Sequence, residues 1–218
     1  RIGTFSEYVV CPAEQVVTVR KDLPWTHAAI IGCSVATGVG AVIRHAQVEA
    51  GSSVLVVGCG GVGLNVVQGA KLAGARTIIA CDLLDNKLAY AKAFGATHTI
   101  NSKTEDVVKR VRELTSGLGV EYAFDAIGTE ATTLQIVDAI APGGHAVIVG
   151  IPAASARAPV SPLQIVYGEK KITGTYYGSI RPTVDFGMLA DLDMDKRINL
   201  DDLISRTYSF DQINEGFD

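Results

Sequence analysis

Apolar positions along this chain fall into short runs that alternate with segments of helical spacing. SVLVVG from Ser53, TIIACD from Thr77, HTI from His98, YAFDA from Tyr122, HAVIVG from His145 and ITGTYY from Ile172 are largely apolar on both faces and read as buried strands. Between most of them Val62–Leu72, Asn86–Phe94, Thr104–Leu114 and Glu130–Ile140 carry helical spacing. The link before the last run holds Pro159, Pro162 and a short apolar stretch, Leu163–Tyr167. Doubly apolar strands that alternate with helices predict a parallel sheet covered on both faces. Right-handed crossovers then leave an α/β fold with a doubly wound six-stranded parallel sheet, the Rossmann arrangement.

The flanks have a different texture. Phe5 to Val19 contains two β-rich runs, FSEYVV and QVVTV, separated by Pro12. From Leu23 to Val48 the pattern predicts helices, an Ala/Ile-rich one after Pro24 and another over Val35–His45. Beyond Tyr177 come a helix-like Thr183–Leu192, a charged link, a strand-like ISRTYSF and the opening of an amphipathic helix at Asp211. The chain begins at Arg1 without Met and stops at Asp218 inside that last pattern, so we expect a piece of a longer protein.

Composition narrows the function classes. The 218 residues are 48% hydrophobic, enough to cover both faces of a sheet. The net charge of −4 and the absence of a basic tract argue against nucleic acid as a partner. No apolar run approaches the roughly 18 residues of a membrane span, so no membrane partner is expected either. The four cysteines, Cys11, Cys33, Cys59 and Cys81, are dispersed and form no C-x-x-C pair, which fits a reducing, cytoplasmic setting.

The chemistry is concentrated in VLVVGCGGVGLNVV. Gly58, Gly60 and Gly63 have the G-x-G-x-x-G spacing between a strand and a helix, with Gly61 and Val62 inside it. Gly58 permits the tight turn, Gly60 lets backbone approach a pyrophosphate, and Gly63 lets the helix pack close to the sheet. The N–H groups and dipole of the following helix attract the phosphates. Asp82 ends TIIACD about 20 residues further on, where an acid accepts the ribose hydroxyls and repels a 2′-phosphate. Leu83 follows it, with no Arg to receive such a phosphate, so NAD is favoured over NADP. S-adenosylmethionine-dependent methyltransferases also pair a glycine loop with an acid, but their loop needs a glycine where Val62 stands.

GCSVATG (Gly32–Gly38), the glycine loop, VIVGIP (Val147–Pro152) and INEGF occur in the order and spacing of the zinc-dependent alcohol dehydrogenases. The chain resembles that branch of the medium-chain dehydrogenase/reductase family over nearly its whole length, and most closely its class III-like and aryl-alcohol members. The resemblance implies a small alcohol or aldehyde as substrate and zinc as a second cofactor. It makes Cys33 one zinc ligand and puts the other ligands in a segment preceding this chain. Without the resemblance, a single cysteine in IIGCSVA is more often a buried small hydrophobe.

The resemblance also implies that Thr37 lies beside the nicotinamide and that Val62 presses on the cofactor. It implies that Lys87 reaches the adenosine ribose and that Ile127 and Gly128 border the adenine, with Thr129 in place of an arginine found in some relatives. Backbone groups of Val149, Thr175 and Tyr177 would hold the carboxamide. Residues 1–34 and 178–218 would be pieces of a catalytic domain around an NAD-binding domain at 35–177. A homodimer would form through the edge strand near Ile172–Tyr177. His27, His45, His98 and His145 show no ligand spacing and read as surface or strand-edge histidines. A non-catalytic dinucleotide-binding module or redox sensor is the competing reading.

Overall fold

The apolar runs pair as one parallel sheet. In this computed structural model, which describes residues 5–217, the strands are β1 (Ser53–Val57), β2 (Thr77–Asp82), β3 (His98–Asn101), β4 (Val120–Asp125), β5 (Ile140–Ile148) and β6 (Lys171–Gly174). Their order is β3-β2-β1-β4-β5-β6, with every neighbouring pair parallel. This is the doubly wound topology expected, and its reversal between β1 and β4 opens the crevice where such sheets take ligands. Val57 pairs with both Cys81 and Asp125, which brings the C-terminal ends of three strands side by side.

The helices are α1 (Trp25–Ile30), α2 (Ala36–Gly40), α3 (Gly61–Leu72), α4 (Asp85–Phe94), α5 (Val107–Leu114), α6 (Glu130–Ala139), α7 (Pro162–Gly168) and α8 (Pro182–Met194). Alternation along β1 sends Val54 and Val56 to one core with Val66, Val67 and Phe94, and Leu55 and Val57 to another with Val111 and Ile136. The helix expected from Thr104 starts at Val107, because the Asp106 side chain caps it by accepting the Lys109 N–H at 3.0 Å.

Several expectations are corrected. The segment after Pro24 does not divide into two helices: π-helical turns over Ile31–Val35 and Ala41–Ala46 link α1 and α2 into a continuous helix, Trp25–Ala46. Its 22 residues are long and apolar enough to cross a membrane, which the count of apolar runs missed. Half of it is buried inside the protein, where Ile31, Val35 and Val39 pack against Leu189 and Leu192 of α8. FSEYVV and QVVTV are not strands; a 3-10 turn at Ala13–Gln15 separates irregular segments, and among the described residues neither has a strand to pair with. ISRTYSF is likewise irregular, and the final helix is reduced to a 3-10 turn at Phe210–Gln212 followed by turns. Finally, β6 stops at Gly174, because Tyr177, Gly178 and Ser179 all take left-handed backbone angles that no strand accommodates.

Candidate functional site

The glycine loop joins β1 to α3 at the crevice. Gly58 has φ +94°, and a Cβ there would stand 2.6 Å from Ile127 Cγ1. A Cβ on Gly63 would overlap the Gly58 carbonyl oxygen, so the first turn of α3 sits directly on the end of β1. Both glycines are therefore explained by packing within the chain. Gly60 is not: it caps α3 with ordinary extended angles, and a Cβ on it would find nothing within 4 Å. Gly61 opens the helix, with only ordinary contact to Ser34 at 3.5 Å. The space over Gly60 and Gly61 is where the initial N–H groups of α3 point.

Asp82 lies at the end of β2 and grips this loop. Its Oδ2 accepts the Cys59 N–H at 2.8 Å, and its Oδ1 accepts the Leu84 N–H at 3.1 Å. Each carboxylate oxygen keeps a further lone pair for a ligand hydroxyl. Asp82, Leu83 and Ile127 line one cavity of 260 Å³ with Ser102 and Thr132. Gly128, next to Ile127, is buried against Gly150, and its N–H and that of Ile127 donate to Asp125 Oδ1 at 2.9 and 3.0 Å. Lys87 does not line that cavity. It faces another of 530 Å³ with Gly60, Gly61, Asn86, Asp201 and Asp202.

The other expected residues gather beyond the loop. A Cβ on Gly38 would overlap Asn65 and stand 2.5 Å from the Val62 carbonyl oxygen, so α2 crosses α3 there and brings Thr37 near Val62. The Thr37 carbonyl lies 2.7 Å from where a Cβ of Gly178 would be. Tyr177 donates its hydroxyl to the Gly32 carbonyl. Burial first, then the neighbouring Cys33, push its phenol above the usual range. The Val149 N–H donates to the Asp125 carbonyl at 2.9 Å and the Thr175 N–H to the Ile148 carbonyl at 3.0 Å. At those two positions only the carbonyl oxygens can receive a carboxamide.

Cys33 is exposed, on the first π-helical turn, so it is not the buried hydrophobe its apolar neighbours suggest. Among the described residues no three His, Cys, Asp or Glu side chains come together to hold a metal. The histidines depart from expectation. His98 is exposed at the start of β3 as foreseen, but His27 is buried between Asp193 Oδ2 at 2.6 Å and Asp201 Oδ1 at 3.1 Å. His45 and His145 are half-buried, and both hydrogen-bond the Thr173 hydroxyl, at 2.8 and 2.7 Å.

Sequence reasoning passed over Asp125. It is fully buried, and besides the two N–H groups it accepts the hydroxyls of Thr132 and Thr133 at 2.9 and 3.0 Å, so it shapes the Ile127–Gly128 wall. The available signal was its place: it ends β4 beside Val57, on the other side of β1 from the β2 strand that Asp82 ends.

Comparison with known proteins agrees with this geometry. A family model described as zinc-binding dehydrogenase matches residues 61–192. The S-(hydroxymethyl)glutathione dehydrogenase of Paracoccus denitrificans is 41% identical over 223 residues, which cover 99% of this chain and 59% of that protein. The crystal structure of benzyl alcohol dehydrogenase from Acinetobacter calcoaceticus superposes with a TM-score of 0.89 at 36% identity, over 92% of this chain and 55% of that one. A zinc-binding dehydrogenase from Sinorhizobium meliloti 1021, solved bound to NADP, gives a TM-score of 0.88 at 29% identity, over 98% of this chain and 61% of that one. The chain spans about three fifths of the length of the curated relative it matches.

Proposed function

The chain belongs to the zinc-binding dehydrogenase family, and from that premise we propose that the protein is an NAD(H)- and zinc-dependent alcohol dehydrogenase to which residues 35–177 contribute the cofactor-binding domain. Residues 1–34 and 178–218 then belong to its catalytic domain. The observation that carries the cofactor reading is Gly60, a missing side chain with no reason inside the protein. A pyrophosphate over Gly60, Gly61 and the N-terminus of α3 supplies that reason. Asp82 would take the ribose hydroxyls with Lys87 reaching the same ribose, and Ile127 and Gly128 would face the adenine. Val62, Thr37, Val149, Thr175 and Tyr177 would flank the nicotinamide. The family leaves no support for the methyltransferase reading.

NAD supplies a hydride acceptor for the carbon of a small alcohol, with the aldehyde as product. The contribution of this chain is to bind and orient that acceptor in a crevice at the strand ends. For zinc, Cys33 offers one thiolate, and the described residues do not complete a ligand set. Zinc would need further ligands from beyond the described residues.

NAD over NADP rests on the Asp82 carboxylate and on Leu83 beside it. The Sinorhizobium meliloti protein of the same fold is bound to NADP, so the reading depends on these side chains and not on the fold. The substrate class, a primary or aryl alcohol, follows the two relatives named for such chemistry. A homodimer joined through β6 is supported by the position of that strand at the sheet edge, and by the exposed Leu163, Val166 and Tyr167 of α7 just before it. Four free cysteines fit a cytoplasmic protein.

Fluorescence titration of the protein with NADH and NADPH tests the reading. NADH should bind and NADPH should bind more weakly, and Gly60→Val should remove NADH binding while leaving the thermal unfolding midpoint close to that of the native protein. Equal affinity for the two cofactors, or undiminished NADH binding by Gly60→Val, would overturn it.

A further inference from the structure

The turn after β6 has an unusual backbone. Tyr177, Gly178 and Ser179 have φ of +55°, +66° and +54°, and two of the three carry side chains. Such angles persist only where the surroundings over-determine them. Here one face of the helix Trp25–Ala46 does so. Gly178 presses on the carbonyls of Ala36 and Thr37, and the Tyr177 hydroxyl donates to Gly32. At the far end of the turn His45 Nδ1 meets the Ser179 hydroxyl at 3.0 Å, and Ser179 Oγ meets Thr175 Oγ1 at 2.9 Å.

His45 is also the middle of a longer chain. Its Nε2 meets Thr173 Oγ1 at 2.8 Å, and His145 Nε2 meets the same oxygen at 2.7 Å. If the His145 N–H donates to Thr173, the Thr173 hydroxyl donates to His45 Nε2. The His45 Nδ1–H then donates to Ser179, and the Ser179 hydroxyl donates to Thr175. Every link is satisfied in that direction, and in the reverse one, with both imidazoles neutral. An imidazolium at His45 is accommodated as well, since it donates to Thr173 and Ser179 while the Thr173 hydroxyl donates to His145 Nε2.

We propose that His45 is a positioning residue for the nicotinamide end of the cofactor site, acting through Ser179 to hold Thr175 and the left-handed turn of Tyr177 in place. The proposal rests on the cofactor reading above, since Thr175 and Tyr177 matter only if they meet a carboxamide. His145 lines a cavity of 410 Å³ at the opposite end of the sheet. The titratable and charged groups facing the pair are few. Arg44, on the same helix as His45, is held by Asp185, and Tyr177 lies on the turn. Lys171, Tyr122, Glu49 and Glu121 surround the cavity. Burial lowers both histidines below their usual range, and Lys171 and His45 lower His145 further, so the neutral chain is the resting state at neutral pH.

Parallel binding of NADH and ADP-ribose to the intact protein tests this, because ADP-ribose lacks the nicotinamide. His45→Leu and Ser179→Ala should each raise the Kd for NADH about tenfold, the worth of one hydrogen bond, with the Kd for ADP-ribose unchanged. His45→Asn, whose amide can reproduce the bond to Ser179, should recover much of the loss. If His45→Leu does not fold, Ser179→Ala carries the test. An unchanged ratio of the two Kd values in Ser179→Ala overturns the proposal. Failure of the native protein to bind either ligand overturns the cofactor reading instead.

Discussion

The Asp82 carboxylate fastens the glycine loop to the neighbouring strand by accepting the Cys59 N–H at 2.8 Å. The acid expected to recognise a ribose is thus also a structural clamp on the loop that would hold the phosphates. Asp82→Asn keeps an acceptor for one N–H and removes the charge. NADH affinity should fall by about 10- to 100-fold, the range for a hydrogen bond to a charged group, while NADPH affinity falls less or rises. Titration of both cofactors checks this, and a parallel loss for the two would show that the charge does not select between them.

The glycines of the loop should separate by function. In Gly63→Ala the new methyl overlaps the Gly58 carbonyl, so α3 must move off β1. Overpacking of this kind costs about 1–3 kcal/mol or more. In Gly60→Ala the methyl enters open space, and unfolding in urea should be nearly native. Urea midpoints should therefore drop for Gly63→Ala alone, whereas weaker NADH binding should appear in Gly60→Ala without loss of stability.

Asp185 is fully buried, and it joins α8 to the end of the helix Trp25–Ala46 by accepting Arg44 Nη2 at 2.6 Å and the Arg181 N–H at 2.7 Å. Arg44→Met removes the countercharge and leaves the carboxylate in an apolar setting. The Arg44 side chain is one-third exposed, so the loss should lie at the lower end of that for a broken buried pair, about 3 kcal/mol. Asp185→Asn, which strands no charge, should cost less. Equilibrium urea unfolding of both variants measures the difference.

The sheet was legible because its strands are apolar on both faces, a pattern that does not depend on which neighbour each strand finds. TIIACD became β2 over the same residues, Thr77–Asp82. The glycine loop was legible because each position has a local backbone demand. The flanks were not: QVVTV and ISRTYSF have strand-like composition, but a strand exists only where another accepts its hydrogen bonds. The histidines were missed for a related reason. His45 and His145 are 100 positions apart in the chain, and they meet only because Thr173 is paired with Val147 on β5. Asp125 was passed over because its partners are backbone N–H groups and hydroxyls with no sequence signature.

The four cysteines should differ in reactivity with burial. Burial, with the Asp82 charge second for Cys59, pushes the Cys59 thiol up to about 12, and burial pushes Cys81 up to about 11. Both stay protonated at pH 8, and the thiolate is the reactive form. Cys33 is exposed and Cys11 half-buried. Iodoacetamide at pH 8 should therefore label Cys33 and Cys11 in the folded protein and reach Cys59 and Cys81 only after unfolding. Peptide mass spectrometry reads each site separately. NADH should slow labelling of Cys33 if that thiol stands beside the nicotinamide, and should leave Cys11 unaffected; equal rates at Cys33 with and without NADH would remove the link between the cysteine and the cofactor crevice.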